Sequence, residues 1–212
     1  MSLPIPSIKR LCRVYELLSE LRRANRSSIS STEIGQSLQI KAHTVRKDIN
    51  LLGEIGPSRS GYPVDKLIKL IQERLQLCEK KGLCVVGLGP VGQIVLRYCD
   101  FLKDSYPLLA GFDQSINRLE TINTTVPLYP FHAITEVVQA EDISLAILTT
   151  VRELAQKATE RLVRGGVRGI INLTGTLLHS NRQDVWIKSI DLREELRILT
   201  ACLAKGRSGR LE

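Results

Sequence analysis

The sequence predicts an α/β chain in two parts, and three observations predict it. Residues 1 to 77 hold 13 Lys and Arg against 7 Asp and Glu, and their apolar residues recur at helical spacing. From about residue 83 onward, short apolar runs alternate with helical segments, the pattern of a parallel sheet with helices on both faces. Where the two parts join, VVGLGPVG places three glycines between a strand and a helix.

The first part reads as helices. Residues 8 to 24 set Ile8, Leu11, Tyr15, Leu18 and Leu21 three and four apart with arginines between them, so an amphipathic helix is expected. In SSISSTEIGQSL, Ser30 and Glu33 have the spacing of a capping box, which predicts a second helix from near Ser31 to about Leu38. After the turn QIK, AHTVRKDINLLG carries Val45, Ile49 and Leu52 on one face and Arg46, Lys47 and Asn50 off it, and this third helix stops at Gly53. Two short helices joined by a tight turn, the second basic on its outer side, make a helix-turn-helix. GEIGPSRSGYPV follows with three glycines and two prolines and reads as a two-stranded wing, Arg59 near its tip. Leu67, Ile68, Ile71 and Leu75 return to helical spacing between Asp65 and about Cys78, and EKKG reads as a linker. A winged-helix DNA-binding domain is expected over residues 1–80.

In the second part, strands are expected at 83–87, 108–113, 143–148 and 168–173, with helices at 91–103, 131–140 and 151–165. Such alternation predicts a Rossmann-type, doubly wound parallel sheet over 81–190. An amphipathic helix follows over 191–204, and the basic tail 205–212 is expected to be disordered.

The glycine turn carries the chemistry of this part. Gly87 permits a tight turn, Gly89 lets backbone approach a pyrophosphate, and Gly92 lets the helix pack closely on the strand. First-turn N–H groups of that helix then face the phosphates, where the helix dipole favours negative charge. Asp113 falls 21 residues past Gly92, at the end of the next strand, where a carboxylate accepts from a ribose 2′-hydroxyl and repels a 2′-phosphate. That favours NAD(H) over NADP(H), with Arg118 close by in sequence.

Several classes find no support. A dehydrogenase needs a substrate-holding domain and an acid or base beside the nicotinamide, and no catalytic residues are expected here. His43, His132 and His179 are scattered, and the five cysteines show no metal-ligand spacing, so reduced buried thiols and no metal are expected. Apolar runs such as 143–148 are too short to span a membrane and the first residues lack a secretory h-region, so a cytoplasmic protein is expected. A small NAD-dependent oxidoreductase and a CoA-binding module using the same turn remain the alternatives.

Taken together, IKRLCRVYELL, SSTEIGQSLQIKAHTVRKDI, LGEIGPSRSGYPV, VVGLGPVG, GFD, AILTTVRELAQ, GVRGIINL and IDLREELRIL make nearly the whole chain resemble the Rex family of redox-sensing transcriptional repressors. The resemblance implies a homodimer that swaps its last helix onto the partner subunit. It implies a repressor that binds a palindromic operator when NAD+ predominates and releases it when NADH rises. By that likeness DNA is contacted by Arg46 and Lys47 of the recognition helix with Lys41, His43 and Thr44, and by Ser58 and Arg59 of the wing. Asp48 then orients the neighbouring basic side chains. The nucleotide set is Gly87, Leu88, Gly89, Pro90, Val91, Gly92 and Asp113, with Thr149, Thr150 and Val151 of the loop after the 143–148 strand. A family link between domains through an Arg, a Tyr and an Asp matches Arg10, Tyr98 and Asp191. The chain departs from the family pattern at Pro90, where Asn is usual, at Val151 in place of Pro, at Leu173 and Gly175 in place of Phe and Pro, and in SINRLE after Asp113.

Overall fold

The computed structural model describes residues 3–53, 61–98 and 105–204. It forms two compact units, Met1–Glu79 and Lys80–Glu212. Ser58, Arg59, Cys99 and the tail 205–212 lie outside the described residues.

The first unit opens with α1 (Ile5–Arg23), which starts earlier than its apolar pattern because Pro4 and Pro6 sit at the helix entry, where a missing N–H costs nothing. Leu11, Val14 and Leu18 are buried along one stripe. Next comes β1 (Ser28–Ile29), then α2 (Ser31–Leu38), whose capping box is made: the Glu33 N–H donates to Ser30 Oγ at 3.1 Å and the Ser30 N–H to Glu33 Oε2 at 2.8 Å. Gln39 takes a left-handed conformation (φ 58°) and the Ile40 N–H bonds back to the Gly35 carbonyl at 2.8 Å, which turns the chain into α3 (Ala42–Leu52). A side chain at Gly35 would overlap the Ile40 carbonyl oxygen, so the turn admits only glycine there. Val45, Ile49 and Leu52 of α3 pack with Leu11, Leu18 and Ile34, and with Leu67, Ile68 and Ile71 of α4 (Val64–Leu75).

Residues 54–60 of the expected wing lie outside the described residues. Of GEIGPSRSGYPV, the described strand is β2 (Tyr62–Pro63), and it pairs antiparallel with β1, a segment that precedes α2. Gly61 (φ 95°) makes this possible, since a Cβ there would come within 2.7 Å of the Ile29 carbonyl oxygen.

The second unit is one six-stranded parallel sheet in the order β5-β4-β3-β6-β7-β8. Its strands are β3 (Gly82–Val86), β4 (Leu108–Asp113), β5 (Leu128–Pro130), β6 (Ile143–Leu148), β7 (Gly169–Asn172) and β8 (Trp186–Ser189). Its helices are α5 (Pro90–Tyr98), α6 (Ile116–Thr121), α7 (Ile134–Ala140), α8 (Arg152–Gly165) and α9 (Leu192–Ala204). Alternate residues of β3 serve opposite faces. Cys84 and Val86 pack under α7 and α8 with Ile134, Val138, Ala158 and Leu162, whereas Leu83 and Val85 pack with Val95 and Leu96 of α5 and Leu119 of α6. On that second face, the part of the sheet beyond α5 keeps an apolar groove of about 520 Å³ lined by Leu145, Ile147, Ile171, Trp186 and Ile187.

Three elements of this unit had no sequence signal: α6, β5 and β8 are short, and β8 exposes Trp186 and Lys188 on an edge. Among the described cysteines the expectation of buried thiols holds for Cys84, whose thiol burial pushes up; Cys12 and Cys78 are exposed and Cys202 half-buried. Among the described residues no helix is long and apolar enough to cross a membrane, and no three His, Cys, Asp or Glu side chains gather as a metal site. Gly35→Ala is expected to destabilise the first unit by about 1–3 kcal/mol or more, read as a lower urea midpoint by circular dichroism.

Candidate functional site

The chain leaves β3 at Gly87 (φ 96°), whose N–H is held by the Phe112 carbonyl of β4 at 2.8 Å. On its other side the loop after β6 closes in. The Thr149 N–H donates to the Val86 carbonyl at 2.8 Å, and Thr149 Oγ1 donates to the Gly87 carbonyl at 2.5 Å. A Cβ on Gly87 would overlap the Thr150 backbone, and one on Gly92 would overlap the Gly87 carbonyl oxygen. Gly89 differs: a Cβ there meets nothing within 4 Å and would project into open space. Two of the glycines are thus demanded by the fold, while Gly89 leaves the surface of the turn bare. Pro90 begins α5 at a position whose N–H has no helical partner, and Val91 and Val151 are exposed on either side of the turn with Thr150 half-buried. Leu88 turns inward, fully buried.

Asp113 ends β4 and is only 3% exposed. Its Oδ2 accepts from the Leu88 N–H at 2.6 Å and its Oδ1 from the Ser115 N–H at 2.7 Å, so the carboxylate clamps the glycine turn to the loop after β4. Arg118 Nη1 lies 3.3 and 3.4 Å from the two oxygens, and its side chain is 48% exposed. The sequence reads Asp113 as an open acceptor for a ribose; in the structure it already takes three donors, of which the guanidinium is the one facing solvent. That arrangement was not legible, because nothing in NRLE announces which way Arg118 folds back.

In the first unit, Lys41, His43, Arg46, Lys47 and Asn50 are exposed along α3, and Thr44 is half-buried beside His43. Arg46 Nη1 reaches Ser31 Oγ at 3.0 Å, which lays its guanidinium toward the start of α2. Asp48 corrects the sequence reading. It is buried and receives Arg10 of α1 through both nitrogens, Nε to Oδ2 at 2.5 Å and Nη2 to Oδ1 at 2.8 Å, so its carboxylate is taken up by α1 and not by the neighbouring Arg46 or Lys47. This bidentate pair ties α1 to α3. At the start of α2, the Ser30 backbone N–H, the Ser30 hydroxyl and the Arg26 guanidinium together hold the Glu33 carboxyl down to about 2.

Of the three residues expected to link the domains, Arg10 is engaged with Asp48, and Tyr98 is the last residue of α5. Asp191 pairs with Arg193, whose N–H and Nη2 reach its oxygens at 2.9 and 3.0 Å. The Arg193 side chain, then its backbone N–H and the charges of Arg193 and Arg152, hold the Asp191 carboxyl below its usual range.

Comparison with known proteins adds the following. Residues 2–50 match the family described as "Putative DNA-binding protein N-terminus". A redox-sensing transcriptional repressor Rex of Limosilactobacillus fermentum is 32% identical over 197 residues, 93% of this chain and 91% of that one. The crystal structure of RSP, solved in complex with beta-NAD+ and operator DNA, is 26% identical with a TM-score of 0.88, covering 97% of this chain and 94% of that one. The same protein in complex with beta-NADH has a TM-score of 0.84 at 24% identity over 97% and 96% of the two chains, a likeness of fold.

Gly89→Val is expected to leave thermal stability within about 0.5 kcal/mol of the parent, as a change facing open space should, yet to abolish binding of a dinucleotide measured by calorimetry. Unchanged binding would remove the pyrophosphate from this turn.

Proposed function

The chain belongs to the Rex family of redox-sensing transcriptional repressors, and from this we infer how its two units are used. It is a DNA-binding repressor that senses the NADH/NAD+ ratio, bound to operator DNA with NAD+ or with the nucleotide site empty and released by NADH. It is not an enzyme, and the oxidoreductase and CoA-module alternatives fall away. The observation that carries this reading is that a helix-turn-helix and a dinucleotide turn lie in one chain whose likeness to such a repressor runs over 93% of its length.

The assignment of residues is our proposal. The pyrophosphate lies over Gly87 to Gly92, with Pro90 and Val91 at the start of α5 and Thr149, Thr150 and Val151 as the opposite wall. What supports it is the bare surface at Gly89 and the pinning of both walls by Thr149 and Asp113. DNA is met by Lys41, His43, Thr44, Arg46 and Lys47, exposed or half-exposed on α3, and by Ser58 and Arg59.

We place this function in a homodimer in the cytoplasm, acting on a palindromic operator. What supports the dimer is α9, which has no buried residue and exposes Leu192, Leu196, Leu199 and Leu203, together with the uncovered apolar groove over β6, β7 and β8. Swapping α9 onto the partner subunit buries both. Two half-sites one helical turn apart require recognition helices about 34–36 Å apart, and NADH acts by favouring a dimer that loses this spacing. A ligand shifts such an equilibrium only by its differential affinity, typically about 1–3 kcal/mol. If Arg10 exchanges partners with Tyr98 and Asp191 in this shift, it must first leave Asp48, and Asp191 must leave Arg193.

A duplex selected from a randomised pool with the NAD+-loaded protein is the probe, and fluorescence anisotropy the readout. NADH is expected to release it and NAD+ to retain it; equal affinity with either, or a monomer by light scattering, overturns the proposal. Arg46→Ala is expected to weaken the selected duplex by about 1–3 kcal/mol if it reads a base, or all duplexes alike with a flatter salt slope if it holds phosphate.

A further inference from the structure

Away from the glycine turn, three further loops leave the same edge of the sheet. Leu148 of β6, Asn172 of β7 and Ser189 of β8 stand in register, so the residues after them emerge side by side at the carboxyl ends of the strands. Arg152 opens α8, Gly175 lies in the loop after β7, and Arg193 sits in the first turn of α9. These residues converge. The point above Gly175 (φ 66°) that a Cβ would fill lies 2.6 Å from Arg193 Nη2, 3.5 Å from Arg152 Nη2 and 3.2 Å from Asp191 Oδ2. The glycine thus leaves a small cradle beside two guanidiniums from different helices.

Two cations meet one carboxylate there. Asp191 is taken by Arg193, which reaches Oδ2 through Nη2 at 3.0 Å and Oδ1 through its backbone N–H at 2.9 Å. Among the described residues the Arg152 guanidinium has no hydrogen-bond or ion-pair partner, and the exposed acids Glu153, Glu194 and Glu195 pair with neither arginine. Arg152 also begins a 14-residue helix whose N-cap, Val151, supplies no side-chain acceptor, a position where the helix dipole disfavours a cation. In the residue after Gly175, Thr176 Oγ1 is buried without a hydrogen-bond partner, the one such side-chain atom among the described residues. An unneutralised guanidinium and an unused buried hydroxyl are both donors, and native structures rarely leave such groups without an acceptor.

We propose that Arg152 and Arg193 bind an oxyanion over Gly175, the phosphate or carboxylate end of a small metabolite. A guanidinium fork matches either group, and first-turn N–H groups of α8 add partial positive charge from the same side. The site uses none of the residues assigned to the dinucleotide, so it is an input additional to NAD(H). An oxyanion held there takes up Arg193 donors that now serve Asp191, at the start of the helix on which the proposed dimer depends.

The test is a nuclear magnetic resonance titration of the full-length, nucleotide-free protein with inorganic phosphate and with oxalate, ionic strength being held constant with chloride. The side-chain Nε–H signals of Arg152 and Arg193 and the Gly175 amide are followed. They are expected to move together and to saturate with a dissociation constant of about 1 mM or below; the anion that binds more tightly identifies the phosphoryl or the carboxylate class. Arg152→Ala is expected to weaken binding by about tenfold or more, and Arg152→Lys by less, since the charge stays while the fork is lost. Because no hydrogen bond of the fold depends on the Arg152 side chain, both variants are expected to keep the parent's thermal melt. Gly89→Val is expected to bind the anion as the parent does. The absence of a saturating shift at about 10 mM of either anion overturns the proposal. So does an Arg152→Ala variant with the parent's affinity, or loss of the anion in Gly89→Val, which would put it on the glycine turn instead.

Discussion

At the carboxyl end of the sheet, β3 and β6 deliver their next residues into a space with no room for a side chain. Gly87 is held between the Phe112 carbonyl and the Thr149–Thr150 backbone, and the Gly87 carbonyl in turn fills the space that a Cβ on Gly92 would need. This crowding fixes where α5 starts and how closely it packs on the sheet. It also sets the crevice between the β3 and β6 loops, the place where strand order reverses and where open α/β sheets take their ligands. The tightness is local, since Gly89, two residues on, faces open space.

Asp113 extends the same constraint to β4. A carboxylate that accepts two backbone N–H groups stitches the Leu88 end of the turn to the start of α6. Such a group carries charge in a nearly buried position, and burying charge is unfavourable unless it is paired and hydrogen-bonded. The Arg118 guanidinium supplies the pairing from the solvent side. One exposed cation thereby serves the fold.

The first unit applies the same solution to a different task. Asp48 points inward from a helix whose outer face is basic, and Arg10 meets it from α1 with two hydrogen bonds. The pair holds α3 against the rest of the unit while leaving Arg46 and Lys47 in solvent. Breaking a buried pair from one side leaves an uncompensated charge, which is far more costly than the pair is stabilising. Gly35 and the left-handed Gln39 fix the angle at which α2 leads into α3.

Local chemistry made much of this legible. The Ser30–Glu33 spacing set the start of α2, Gly53 the end of α3, and the apolar runs at 108–113 and 143–148 matched β4 and β6 residue for residue. These signals act within a few residues, so the linear sequence contains them whole. The glycine turn was legible for the same reason, as was the basic outer face of α3. What the sequence could not determine was every relation between distant segments: that Tyr62 pairs with Ile29, that Asp48 belongs to Arg10, that β8 completes the sheet, and that Arg118 covers Asp113. Short edge elements have too few residues for a periodic pattern, and the partner of a charge is decided by which side chains packing brings within about 4 Å. Fold class and ligand class were thus written in the residues; the pairing of the buried charges was decided only by the tertiary structure.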